Sequence, residues 1–191
     1  MNETTSLAYL LLPLLGGGLV HGICLRYDLF PRLATPIDRG ARLGGKPIFG
    51  SHKTFRGPLA MVVGTALTLW IQARWLHEVP AARHLELFDY GATSPWFLGA
   101  ALGLGAALAE LPNSFVKRRL GVAPGGASKG ARVAVFYFVD QVDLLAGAWI
   151  VLASVVAPTA SRILISVAIV FIGHAIVSVV GYWLGMRPVP Y

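Results

Sequence analysis

Two aspartates, Asp140 and Asp143, stand three residues apart inside an otherwise apolar stretch, residues 133–157. On a helix that spacing puts both carboxylates on one face, and two acids sharing one volume repel unless a cation or a proton lies between them. A hard divalent ion such as Mg²⁺, held by few carboxylates and completed by phosphate oxygens, suits such a pair. Pairing with Lys or Arg from the neighbouring loops is the other reading of the same spacing. A basic stripe precedes them. Ser114, Lys117 and Arg118 fall at i, i+3 and i+4, with Glu110 one turn earlier and Arg119 adjoining. A helix that continues past Pro112 carries Glu110, Ser114, Lys117 and Arg118 on one face. Arg holds phosphate as a fork and Lys as a point charge, and the Ser114 hydroxyl can donate to a phosphate oxygen. An ordinary positive flank with snorkelling side chains would show the same cations.

Two further segments bear on anion binding. Phe49-Gly-Ser-His-Lys-Thr-Phe-Arg-Gly57 mixes donors, cations and aromatics, with Lys53, Thr54 and Arg56 as the candidate phosphate contacts. In Pro124-Gly125-Gly126 the backbone amides of Gly125 and Gly126 are open to a phosphate or nucleotide. The spacing Gly-x4-Gly-Lys-Ser/Thr of a phosphate-binding loop is absent, as are Gly-x-Ser-x-Gly and His-Glu-x-x-His. Hydrolase readings that depend on those motifs have no support.

The elements that must position these residues are membrane helices. Of 191 residues, 55% are hydrophobic and only 13% charged, and mean hydropathy is +0.66, which excludes an ordinary soluble domain. Five stretches, roughly 7–25, 58–76, 95–111, 133–157 and 163–186, approach the length of about 20 apolar residues that crosses a hydrocarbon core. The expected fold is all-α: one polytopic membrane-embedded domain over 1–191, with about five transmembrane helices. Net charge is +7, and the cations concentrate in two loops, 26–57 and 112–132. Anionic headgroups or a nucleotide triphosphate are therefore the expected partners, not nucleic acid. By the positive-inside rule both basic loops face the cytoplasm, with the N-terminus outside and the C-terminus inside. The oligomeric state is open, a homodimer included. Cys24, the single cysteine, reads as a small apolar filler of the first span. Gly99 with Gly103, and Gly181 with Gly185, have the small-xxx-small spacing of close helix packing.

Taken in order, Pro36-Ile-Asp38, Phe49-Gly50, Lys53-Thr54, Arg56-Gly57, Ser114-Phe-x-Lys-Arg-Arg-Leu-Gly121 and Asp140-Gln-x-Asp143 resemble the CDP-archaeol synthases. These are integral membrane cytidylyltransferases related to CDP-diacylglycerol synthases. The resemblance covers more than half the chain. It implies a five-span fold, CTP and Mg²⁺, and a site at the cytoplasmic face of the cell (inner) membrane built from loop residues and the fourth-span acids. Two departures stand out. Where the pattern has Gly-Asp, this chain has Ala109-Glu110, which keeps an acid with a longer reach. Leu111-Pro112-Asn113 then introduces a proline, which suggests a kink or a break in the third helix.

The expected reaction transfers a cytidylyl group from CTP to a membrane lipid phosphate, archaeol-type ether phosphate or phosphatidate, and releases pyrophosphate. Asp140, Asp143 and Lys117 are the catalytic candidates. Asp140, Asp143 and Glu110 are the metal candidates. Lys53, Thr54, Arg56, Ser114, Arg118, Arg119, Gly125 and Gly126 are expected to bind substrate, and Asp38 to shape the first loop. The rival reading is a non-catalytic small transporter or scaffold, with lipid-binding loops and the intramembrane acids as a proton or cation path.

Overall fold

The computed structural model describes residues 2–123 and 132–183. Five long helices dominate: α1 (Glu3–Arg26), α2 (Arg56–Arg74), α4 (Pro95–Arg119), α5 (Arg132–Leu152) and α6 (Ala160–Trp183), with two short helical turns, Leu76–Glu78 and α3 (Pro80–Arg83), in the connection after α2. A two-residue antiparallel pair, β1 (Arg42–Leu43) and β2 (Lys46–Pro47), interrupts the loop after α1. The all-α expectation holds. Four of these helices are long and apolar enough to cross a bilayer, and α6 adds a shorter apolar stretch, Ala160–Ile176.

Several boundaries move. α1 runs through Gly16, Gly17 and Gly18 without interruption, α5 ends at Leu152 rather than near residue 157, and α6 begins at Ala160. The largest correction concerns Pro112: α4 continues past it to Arg119 instead of breaking. The missing N–H of Pro112 removes one bond to the preceding turn, while packing on both neighbours keeps the helix together.

The helices form a closed circuit in which α2 packs between α1 and α4, α5 packs on α4, and α6 returns to α1. Small residues permit the close crossings. A methyl group on Gly64 would lie 2.6 Å from the Gly16 carbonyl oxygen, and one on Gly99 only 2.5 Å from Ala66 Cα, so α2 is seated by backbone contact on both sides. Gly103 joins Gly99 in this interface, whereas Gly185 lies outside the described residues. The interior between them is apolar, with Leu7, Leu10, Leu14, Met61, Leu102, Leu145 and Trp149 buried. Cys24 is buried in α1. Two polar side chains bridge helices: Thr65 Oγ1 donates to the Gly99 carbonyl at 2.6 Å, and Gln72 Nε2 to the Tyr9 carbonyl at 2.8 Å. Large apolar side chains also face outward, among them Leu19, Ile150, Leu164 and Ile172, as lipid requires and water would not favour.

The two ends differ in chemistry. At one end Trp70 stacks on Trp96 with ring centroids 5.7 Å apart and meets Trp75 edge-on, a cluster suited to a membrane interface. At the other end α1 gives way to the basic loop that returns into α2, and α4 emerges with Lys117, Arg118 and Arg119.

Candidate active site

That basic loop is built before it can bind anything. Asp38 accepts hydrogen bonds from the amides of Phe49 at 2.8 Å, Gly50 at 3.0 Å and Gly40 at 2.9 Å. Burial pushes its carboxyl upward, but the Gly50, Phe49 and Gly40 amides outweigh that and hold it below its ordinary value. Asp38 therefore shapes the loop, as the sequence suggests. Gly50 takes φ +98°, a conformation that a side chain would strain, and turns the chain toward Lys53. The Lys53 backbone is fixed from both sides, its carbonyl accepting from Ile37 at 2.8 Å and its amide donating to Gly50 at 3.2 Å. Thr54 forms a bridge with Pro36.

The loop then docks on the end of α4. Arg119 donates to the carbonyls of Leu43, Lys46 and Pro47, and Lys46 Nζ returns a bond to the Arg119 carbonyl at 2.8 Å. Arg119 thus holds the β1–β2 turn in place. Arg56 is similarly occupied, pairing with Asp28 at 2.6 Å and the Leu29 carbonyl at 3.2 Å.

Docking forms an open cavity of about 410 Å³ between the loop, α4 and α5. Because α4 is continuous, Glu110, Asn113, Ser114, Lys117 and Arg118 line it as one stripe, facing Asp140 and Asp143 from α5 and Phe49, His52 and Lys53 from the loop. Asp140 lies about 12 Å along α5 from its start, at 1.5 Å per residue. Lys53 pairs with Glu110. Lys117 pairs with Asp140, lying 2.6 Å from Oδ2, and its ammonium sits 5.3 Å from the Phe136 ring centroid. Asn113 Nδ2 bridges the two acids, 2.6 Å from Asp140 Oδ1 and 2.9 Å from Asp143 Oδ2. Arg118 is only 7% exposed, and among the described residues its buried Nε and Nη1 have no hydrogen-bond partner. A buried guanidinium in that condition has unmet capacity for an anion.

Of the residues singled out in the sequence, the cavity gathers Lys53, Glu110, Ser114, Lys117, Arg118, Asp140 and Asp143. Thr54, Arg56 and Arg119 do not line it, and the latter two serve loop contacts instead. Gly125 and Gly126 lie outside the described residues. Asn113, His52 and Phe49 are cavity residues to which the sequence reading gave no role. Asn113 was legible in principle: Glu110, Asn113, Ser114, Lys117 and Arg118 follow i, i+3, i+4, i+7, i+8 once the proline is allowed within the helix.

The cavity suits a hard divalent cation in its donor chemistry. Asn113 Nδ2 lies within 3 Å of an oxygen from each carboxylate, so the two acids converge on one point, which that amide occupies. Among the described residues no group of three His, Cys, Asp or Glu forms a metal cage by itself. A Mg²⁺ ion here would complete its shell with water or substrate phosphate oxygens.

Helical bundle and charged end-cavity together define a polytopic membrane protein with a polar site at one end. A solved structure described as an intramembrane enzyme for archaeal membrane lipids biosynthesis has the same fold, with a TM-score of 0.58 and 24% identity over 87% of this chain and 88% of that one. The family model described as CarS-like, CDP-archaeol synthase, matches residues 29–191. CDP-archaeol synthases of Methanococcoides burtonii and Archaeoglobus fulgidus are 30% and 32% identical over 166 and 164 residues, covering 82% of this chain and 90% and 84% of theirs. The chain belongs to the CDP-archaeol synthase family, and is a membrane-embedded transferase of lipid biosynthesis.

Proposed function

We propose that the protein transfers the cytidylyl group of CTP to the phosphate of an archaeol-type ether lipid, releasing pyrophosphate and leaving a CDP-activated lipid. The observation that carries this reading is the convergence of Lys53, Lys117 and Arg118 with Glu110, Asp140 and Asp143 in one cavity at an end of the bundle. Cations for phosphate and acids for a metal meet there beside the lipid-facing surface. The reaction needs no protein nucleophile. An oxygen of the lipid phosphate attacks the α-phosphorus of CTP, the bond from that phosphorus to the oxygen bridging to the β-phosphate breaks, and pyrophosphate leaves with the electron pair.

The chain's task is positioning and charge neutralisation. Lys53 and Lys117 hold phosphate oxygens as point charges, and Arg118 meets one as a fork. Ser114, buried beside Arg118 on the same helix face, donates to a phosphate oxygen. Asp140 and Asp143, with Asn113 between them, would hold Mg²⁺, and Glu110 borders the same cavity. Bound there, Mg²⁺ supplies Lewis-acid stabilisation of the phosphates. The cavity faces the cytoplasm of the cell membrane, where CTP is available, a placement supported by the basic loop at the cavity end.

Purified protein incubated with CTP, Mg²⁺ and either archaeol-type lipid phosphate or phosphatidate tests the substrate. Mass spectrometry should find the CDP-ether lipid as the main product. Equal use of phosphatidate would overturn the lipid assignment, and uptake of neither would overturn the reaction.

A further inference from the structure

The cavity carries its own counter-ions. Glu110 is engaged by Lys53, and Asp140 by Lys117. With Arg118 and Asp143 included, three cations face three carboxylates among the described residues, so their formal charges cancel when His52 is neutral. Neither lysine is a loosely held surface charge. Lys53 is fixed through its backbone on both sides, and Lys117 is seated over the Phe136 ring.

This balance acts on each ligand separately. A triphosphate arriving alone meets lysines already paired and carboxylates that repel it. A divalent cation arriving alone meets carboxylates already paired and ammonium groups that repel it. Together they remove each other's obstacle, because the cation takes the carboxylates while the phosphates take the released lysines. Like charges a few ångströms apart in a partly desolvated cavity interact far more strongly than in water.

We infer that the Lys53–Glu110 and Lys117–Asp140 pairs form a counter-ion lock that couples metal to nucleotide, so the cavity takes the two together and holds either one alone weakly. The inference rests on the reading of this cavity as the nucleotide and metal site. It makes a reversed prediction for single substitutions. Removing a lysine, a phosphate-binding group, tightens metal binding in the absence of nucleotide. Removing its acid, a metal ligand, tightens nucleotide binding in the absence of metal.

The test uses the full-length protein in detergent and reads binding without turnover. Mn²⁺ alone is titrated by electron paramagnetic resonance, and CTP in EDTA by equilibrium dialysis. Lys117→Met should bind Mn²⁺ about tenfold or more tighter than the unsubstituted protein, within the range of about 5- to 150-fold typical of coupled sites. Asp140→Asn should bind CTP in EDTA tighter by a similar factor. Lys53→Met and Glu110→Gln repeat both arms at the second pair, so misfolding of one variant does not end the test. Measurable binding that these substitutions leave unmoved, or that moves in the opposite direction, would overturn the lock while leaving the site in place. No binding of Mn²⁺ or CTP by any of the five proteins would remove the site reading and the lock with it.

Discussion

Replacing Asn113 by leucine separates the bridging role of this residue from mere packing. Its Nδ2 lies 2.6 Å from Asp140 Oδ1 and 2.9 Å from Asp143 Oδ2, so the two oxygens are at most about 5.5 Å apart, the sum of those lengths. Two carboxylates at that separation repel by roughly 3 kcal/mol at an effective dielectric of about 20. Lys117 relieves this at Asp140, whereas Asp143 relies on Asn113 and on the Leu144 amide at 2.7 Å. Asn113→Leu keeps the heavy-atom count and the branch at Cγ, deletes both charge-assisted bonds and leaves the repulsion uncovered. We expect a loss of about 3 kcal/mol in EDTA, which at roughly 2–4 °C per kcal/mol lowers the unfolding midpoint by about 6–12 °C. Tryptophan fluorescence during heating measures it. Millimolar Mg²⁺ should restore part of the loss, because a cation between the acids replaces the missing amide. Asn113→Asp should be destabilised in EDTA as well, and should gain more from Mg²⁺ than the leucine variant does. A midpoint for Asn113→Leu within about 1 °C of the unsubstituted protein in EDTA would refute the bridge.

Charge removal should divide the cations into two groups. Lys53→Ala, Lys117→Ala and Arg118→Ala should each lower kcat/KM for CTP by roughly ten- to a hundredfold, the cost of one charge-assisted phosphate contact of about 1.5–3 kcal/mol. Arg56→Ala and Arg119→Ala should mainly lower thermal stability, with specific activity per folded molecule closer to normal. Asp38→Ala should speed amide exchange at Phe49 and Gly50. Since the folded carboxyl titrates below its unfolded value, the protection from Asp38 is complete above the ordinary carboxylate range and is lost as pH falls through the lowered value; amide exchange followed against pH checks that direction. With Cys24 replaced, Gly45→Cys and Ser128→Cys should react with a membrane-impermeant thiol reagent only from the cytoplasmic side. Labelling from outside would reverse the topology.

Much of the bundle is legible from hydropathy, since each long helix carries its own apolar run. Helix ends are less so. α4 outlasts its apolar stretch by two turns because its polar stripe is stabilised by partners on α5 and on the first loop. The continuation of α4 through Pro112, where a break was one expectation, has the same origin: a local rule about proline yields to packing along both sides of the helix. The acid pair and the basic stripe are readable from i, i+3 and i+4 spacing, but their pairing is not, because Lys53 reaches Glu110 across 57 positions and depends on the turn that Asp38 holds. The tasks of Arg56 and Arg119 are equally hidden. Their partners are Asp28 and the carbonyls of a two-residue strand pair, features with no periodicity to reveal them.

The proposed joining of CTP to a lipid phosphate in this cavity is open to direct measurement. That measurement is the stoichiometry of products from purified protein, CTP, Mg²⁺ and archaeol-type lipid phosphate, with Asp143→Asn beside the unsubstituted chain. Asparagine keeps the size of Asp143 while removing the charge that a divalent cation needs. The expected result is one CDP-lipid and one pyrophosphate for each CTP consumed, and turnover abolished in a variant that still unfolds near the normal temperature. Near-normal turnover by stable Asp143→Asn at low Mg²⁺, or CTP consumption without a CDP-lipid, would contradict it.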